Sequence, residues 1–176
     1  MKQTQLNKYF ITEWTDDFDK YPLSGFDLMN KVKRNEWVLD VGCGHNPFKG
    51  KIKNLVAIDP IFPQADINTT IEDFEYDRLF DVAFCLGSIN FGDEKKIRKQ
   101  IECLLTHMKP KCRIYWRCNP GRKDHGKPST HTIPFFPWSE EYHNTFAKDY
   151  GFEIAETGTE IPEPNKLRLY FEWNRT

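Results

Sequence analysis

The first 36 residues are mostly polar, with scattered aromatics at Tyr9, Phe10, Trp14, Phe18, Tyr21 and Phe26. Pro22 and Gly25 interrupt the stretch, which predicts one or two short helices. Four short apolar runs follow. Residues 37–41 stop at Gly42-Cys43-Gly44, and residues 55–58 stop at Asp59-Pro60. Residues 82–86 stop at Gly87-Ser88, and residues 114–118 stop at Asn119-Pro120-Gly121. Runs of this length ended by turn residues predict buried strands. They are continuous rather than alternating, as expected of a parallel sheet covered on both faces.

The intervening segments predict helices. Asp93 can cap one whose apolar positions Ile97, Ile101, Leu104, Leu105 and Met108 share a face, with Pro110 as its stop. Ser139 can cap another, with Glu140 and Glu141 in its first turn, Tyr142, Phe146 and Tyr150 buried, and an end at Gly151. Two final strands are predicted near residues 152–155 and 167–173. Leu167, Leu169, Phe171 and Trp173 alternate with Arg168, Tyr170 and Glu172, which predicts an edge or antiparallel strand. The connection carries Pro162 and Pro164 and is too short for a helix, so the pair predicts an antiparallel hairpin. The sum is an α/β fold, a three-layer open sheet that is mostly parallel with an antiparallel last strand. Ligands of such sheets bind beyond the carboxyl ends of the strands, where strand order reverses.

Composition narrows the function. With 25 Lys and Arg against 26 Asp and Glu, the formal charge is −1, and no bulk positive charge is available to hold a nucleic-acid backbone. The 176 residues suit one domain. No apolar run approaches the ~18 residues that cross a bilayer, and the first residues hold no signal-peptide stretch. A cytoplasmic protein is therefore expected. The cysteines are Cys43, Cys85, Cys103, Cys112 and Cys118, an odd number with no C-x-x-C pair, which predicts reduced, mostly buried thiols. The histidines His45, His107, His125, His131 and His143 never fall at i, i+4, so no metal site is expected.

The candidate chemistry lies past the strand ends. Gly42 and Gly44 allow a sharp turn and close backbone approach to a ligand. Asp40, near the strand end, can hydrogen-bond a ligand amino group directly or through water. Asp59, after the next strand, can accept both hydroxyls of a ribose. Together these suggest a nucleoside ligand. In a dinucleotide-binding pattern a third glycine would stand where Pro47 is found, and the stretch from His45 to Asn54 also holds Gly50. A long phosphate-facing helix is not expected there, so a ligand without phosphate fits better.

Val38-Leu39-Asp40-Val41-Gly42-Cys43-Gly44 resembles the first motif of class I S-adenosylmethionine-dependent methyltransferases. The resemblance continues through Asp59-Pro60 at the ribose position and Thr70-Ile71-Glu72-Asp73-Phe74 along the adenine. Residues 80–91 resemble the fourth strand and the loop beneath the methionine moiety, with Leu86, Gly87, Ser88 and Phe91 in that loop. Leu104-Leu105 and Met108-Lys109-Pro110-Lys111-Cys112-Arg113-Ile114 resemble the turn into the fifth strand. The likeness spans about residues 36–175. It implies a Rossmann-like fold, S-adenosyl-L-methionine as cofactor, and Asp40, Gly42, Cys43, Gly44, Asp59, Pro60, Thr70, Ile71, Glu72, Leu86, Gly87, Ser88 and Phe91 around it. The sequence departs from the family in three places. The helix after the glycine turn must be very short, Lys111-Cys112 replaces a Gly-Gly pair, and Phe91 stands where a histidine is common.

Residues 37–176 are then the cofactor-binding domain and residues 1–36 a helical lid, with Tyr9, Trp14 and Tyr21 as its aromatic side chains. The loop after the fourth apolar run is locally basic, with Arg117, Asn119, Arg122, Lys123, Asp124, His125, Lys127 and His131. Arg117, Asn119, Arg122 and Lys123 are candidates for an anionic group on the acceptor. His125 and His131 are the candidate bases, needed only if the nucleophile must lose a proton. The Pro-Pro-aromatic motif of amino-methylating DNA enzymes and the Pro-Cys of cytosine-C5 enzymes are absent, the corresponding segment being Leu86-Gly87-Ser88-Ile89. A small-molecule acceptor is expected first, and a nucleotide or RNA end second. Two further alternatives are a non-catalytic S-adenosylmethionine-binding sensor or accessory module, and a nicotinamide-dependent dehydrogenase, against which Pro47 argues.

Overall fold

A computed structural model describes residues 3–12, 18–121, 133–162 and 166–176. Its strands are β1 (Val38–Val41), β2 (Leu55–Ile58), β3 (Phe80–Leu86), β4 (Met108–Cys118), β5 (Glu153–Glu160) and β6 (Arg168–Arg175). Its α-helices are α1 (Gln3–Thr12), α2 (Glu94–Thr106) and α3 (Glu140–Asp149), and 3-10 turns cover Phe18–Lys20 and Phe26–Lys31. The strands form one sheet in the order β2-β1-β3-β4-β6-β5. The first four are parallel, and β6 runs antiparallel to both its neighbours. The order reverses between β1 and β3, so a ligand site is expected where Val41 and Leu86 end.

The alternation of side chains along the central strands sorts two faces. Leu39, Val41, Ala83, Cys85, Ile114 and Trp116 point to a face covered by Ile97, Ile101 and Leu104 of α2 and Phe146 and Ala147 of α3. Both helices start as the sequence predicts. Asp93 accepts from the Lys96 N–H and Ser139 from the Tyr142 N–H. Val38, Val82, Phe84, Leu86 and Tyr115 point the other way and meet Leu28, Phe48 and Ile52. That third layer contains no α-helix among the described residues. It is made of the 3-10 turns and of the turns between β1 and β2, where even a very short helix is absent.

Two expectations need correction, and of two alternatives for the last strand one is realised. The helix does not run through Met108 to Pro110. It ends at Thr106, and Met108 pairs with Phe80 in β4. Pro110 lies in β4, where the register jumps from Phe80↔Met108 to Val82↔Arg113, and its missing N–H is tolerated at this irregularity. The final strand is antiparallel but not an edge. β6 lies between β4 and β5, and Tyr170, packed on the face that holds Leu28 and Tyr115, is fully buried rather than a solvent-side alternate. The strand expected at 152–155 continues to Glu160 and forms the edge. Among the described residues no helix is long and apolar enough to cross a membrane.

One core residue carries an ionisable ring. His143 of α3 is fully buried and stacks against Phe171, with centroids 3.8 Å apart, and Trp138 at 4.4 Å. Neither ring nitrogen has a partner. Burial pulls its pKa down from the ordinary 6.5 to about 3. The unfolded chain takes up a proton that the folded core refuses, so this site's stability contribution is lost as pH falls from 6.5 toward 3. We expect His143→Phe to stabilise the protein by ~1 kcal/mol at neutral pH, since it removes two orphaned polar atoms. The gap should widen in urea titrations between about pH 7 and about pH 5. A gap that stays constant over that interval would show that the buried ring titrates normally.

Candidate functional site

The turn after β1 is shaped by backbone sterics. Gly42 has φ +67°, and a Cβ there would lie 2.4 Å from Cβ of Ser88, so the turns after β1 and β3 approach as only a glycine permits. The Gly42 and Cys43 N–H groups both donate to the Ile58 carbonyl, at 2.8 and 3.0 Å. Asp59, beyond the end of β2, accepts from the Gly44 N–H at 3.1 Å through Oδ2, and from the Ile61 and Phe62 N–H groups at 2.8 and 3.0 Å through Oδ1. Three successive turns are thereby fixed around one cleft, with a cavity volume of about 160 Å³.

Most residues singled out from sequence line that cleft. Gly42, Gly44, Asp59 and Pro60 border it, with Thr70, Ile71 and Glu72 on the β2 side. Leu86, Gly87, Ser88 and Phe91 border it after β3, and Arg117 and Asn119 after β4. Tyr9 and Tyr21 border it from the N-terminal segment. Thr70 Oγ1 donates to Asp73 at 2.8 Å, and Glu72 accepts from Gln100 at 2.9 Å. Ser88 Oγ is buried at the cleft wall without a hydrogen-bond partner among the described residues.

Two expected residues sit behind the wall rather than in it. Cys43 is buried, its thiol directed to the Gly44 carbonyl, and burial pushes its pKa far up, so it offers no thiolate. Asp40, in the middle of the sheet between β2 and β3, is 3% exposed and no donor reaches its carboxyl among the described residues. Burial raises its pKa to about 7, with Arg117 acting in the opposite direction. Asp40 is thus not among the residues that line the cleft. Trp14, Arg122, Lys123, His125 and His131 lie outside the described residues.

Sequence reasoning missed several walls of the cleft. Gln3, Leu6 and Phe10 of α1, Phe62, Gln100, Phe135 and Arg168 all line it. Leu6 and Tyr9 lie at helical spacing on the buried side of α1, a signal readable in the sequence. Phe135 lies in an irregular segment bridged to Phe91 and had no local signal.

Comparison with known proteins agrees with this geometry. No family model matches the chain, and no curated protein matches it in sequence. Solved structures do match in fold. The chain is similar to the 1,6-didemethyltoxoflavin-N1-methyltransferase of Burkholderia thailandensis, solved with its substrate and S-adenosylhomocysteine (TM-score 0.77, 14% identity, 99% of this chain and 88% of that one). It is similar to the magnesium protoporphyrin IX methyltransferase of Synechocystis, solved with S-adenosylhomocysteine (TM-score 0.70, 13% identity, 99% and 100%). It also resembles the N-methyltransferase NodS of Bradyrhizobium japonicum, solved with S-adenosylhomocysteine (TM-score 0.66, 15% identity, 98% and 97%). The chain thus has the Rossmann-like α/β fold of the S-adenosylmethionine-dependent methyltransferases, as its motifs implied.

The burial of Asp40 has a measurable signature. Its pKa of about 7 in the fold lies above the ordinary 3.8, so the unfolded chain releases a proton that the folded state retains. Its stability contribution is present below pH 3.8 and is lost as pH rises through about 7. We expect Asp40→Asn to be more stable than wild type at about pH 8, by on the order of 2–4 kcal/mol. The advantage should vanish toward about pH 4, as read by thermal unfolding.

Proposed function

We propose that this protein transfers a methyl group from S-adenosylmethionine to a small acceptor. The observation that carries this reading is the convergence of the Gly42–Gly44 turn, Asp59 and residues 86–88 on one cleft at the switch point of the sheet. The cleft suits the cofactor's chemistry. Beyond its three backbone donors Asp59 keeps about one acceptor site, on Oδ2, for a ribose hydroxyl, and Ser88 Oγ has no partner among the described residues. Gly42 and Gly44 let the backbone approach the ligand. Pro60, Thr70, Ile71 and Glu72 would flank the adenine side, and Leu86, Gly87, Ser88 and Phe91 the methionine side. Asp40 and Cys43 would support the turn from behind.

When bound, the cofactor supplies an electrophilic methyl carbon whose bonding pair stays on sulfur as the acceptor's lone pair takes the carbon. The chain's own task is alignment and exclusion of water, and proximity alone can supply much of the rate. Tyr9, Phe10, Phe91 and Phe135 give the cleft an aromatic wall that keeps out water. In this reading residues 37–176 form the cofactor domain, and residues 1–36 the lid that delivers Tyr9 and Tyr21. Two of the similar proteins are named for methylating small molecules, 1,6-didemethyltoxoflavin and magnesium protoporphyrin IX, which supports a small acceptor here.

Calorimetry with S-adenosylhomocysteine tests the cofactor half. Wild type should bind, and Asp59→Ala should lose at least roughly tenfold in affinity with the removal of a charged acceptor. A folded wild type that binds neither S-adenosylmethionine nor S-adenosylhomocysteine would end the proposal. Labelled methyl transfer into a metabolite extract tests the catalytic half. Reproducible labelling is expected, whereas cofactor binding without any labelled product would favour a sensor or accessory module.

A further inference from the structure

Charge is distributed unevenly along the cleft. Asp59 and Glu72 stand on the β2 side, whereas Arg117 of β4 and Arg168 of β6 stand across the sheet from them. Arg117 is the unusual member. It is only 7% exposed, yet no carboxylate among the described residues reaches ion-pair distance of it. Its Nη2 donates to the Leu86 carbonyl at 3.1 Å, and its Nη1 lies at a long 3.5 Å from both oxygens of Ser24. The ring of Tyr21 covers the guanidinium at 3.9 Å, with Phe18 farther away at 5.2 Å.

The charged groups around Arg117 do not neutralise it. Glu160 acts on it from a distance, but that carboxylate is already taken by the Leu23 N–H, the Ser24 N–H and the Ser24 hydroxyl. Asp40 also attracts it but is itself held toward its neutral form by burial. Arg168 repels it. A desolvated guanidinium without a close counter-ion is costly, and burial accordingly lowers its pKa. Because Tyr21 occupies a face, the guanidinium is left to meet a ligand through its edge, where parallel N–H groups match a carboxylate.

The remaining wall is aromatic. Leu6, Tyr9 and Phe10 of α1 pack with Phe91 and Phe135, the Phe10 and Phe91 rings meeting edge-on at 5.5 Å and Phe91 and Phe135 at 4.9 Å. Such a wall favours a flat apolar body through ring contacts.

We infer that Arg117, backed by Tyr21, recognises a carboxylate on the methyl acceptor, and that the acceptor is an aromatic acid whose ring lies against Phe91 and Phe135. The inference rests on the methyl-transfer reading above and names the substrate class of that same cleft. Arg117 sets specificity: it selects the acid over its neutral analogue.

The test is calorimetry on the full chain saturated with S-adenosylhomocysteine. The probes are 4-hydroxybenzoate and indole-3-acetate, each against its neutral amide. Wild type should bind at least one acid about tenfold more tightly than its amide, as a charge-assisted bidentate contact implies. Arg117→Gln should abolish that preference, and Arg117→Lys, which keeps the charge without the fork, should restore part of it. Equal affinity for acid and amide across both pairs in wild type, a measurement that needs no variant, overturns the inference while leaving methyl transfer standing. Failure of S-adenosylhomocysteine itself to bind overturns both. Binding of S-adenosylhomocysteine and of 5′-methylthioadenosine, which lacks the amino-acid carboxylate, is measured in parallel. If Arg117→Gln weakens the first and not the second, the guanidinium serves the cofactor's carboxylate and the inference is overturned.

Discussion

The geometry of the cleft depends on how one carboxylate is occupied. Asp59 draws in N–H groups from Gly44, Ile61 and Phe62, so the turn after β1 and the turn after β2 become a single hydrogen-bonded body. The Ile58 carbonyl adds two more ties, to Gly42 and Cys43. At a helix N-terminus such N–H groups stay unpaired and open to phosphate. Here a side-chain carboxylate takes them, and no helix follows the turn. A string of turns ending at Phe48 and Ile52 then suffices to fill the sheet face below.

That substitution explains why the two faces of the sheet differ in chemistry. An α-helix satisfies its interior backbone itself, so the strand residues facing α2 and α3 are almost wholly apolar. A layer of turns leaves carbonyls and N–H groups to be answered by side chains. Arg113 answers the Lys31 carbonyl, Arg117 the Leu86 carbonyl, and Glu160 the Leu23 and Ser24 N–H groups. Lys31 in turn gathers Glu156, Glu172 and Tyr170. The buried charged groups of Asp40, Arg117 and Glu160 therefore lie on the irregular side, whereas His143 is buried under α3.

The fold was legible because its strands are short, continuous and closed by glycine, proline or Asx residues, and because Asp93 and Ser139 cap their helices as their side chains suggest. The cleft was legible where a residue's place follows from the strand that carries it, as for Gly42, Asp59 and Ser88. Legibility ended where tertiary pairing overrides local pattern. Pro110 marks a helix stop in sequence, but the irregular register of β4 accommodates it in a strand. Tyr170 alternates like a surface residue, but the layer of turns that carries Leu28 and Lys31 covers it. Asp40 is expected from its motif to hydrogen-bond a ligand directly or through water, and its burial in the centre of the sheet keeps it out of the cleft lining. His143 has no sequence signal for full burial, since its aromatic neighbours come from β4, β6 and an irregular segment.

The contact between Ser24 and Glu160 joins residues 136 positions apart. Closing so long a loop costs entropy that only an already assembled hairpin can offset. During synthesis the segment bearing Tyr21 emerges well before Glu160 and then waits for that anchor. The sheet centre can condense from neighbouring pieces, but a cleft with its full complement of walls exists only after the final hairpin has docked, so maturation of the ligand pocket is deferred to the end of folding.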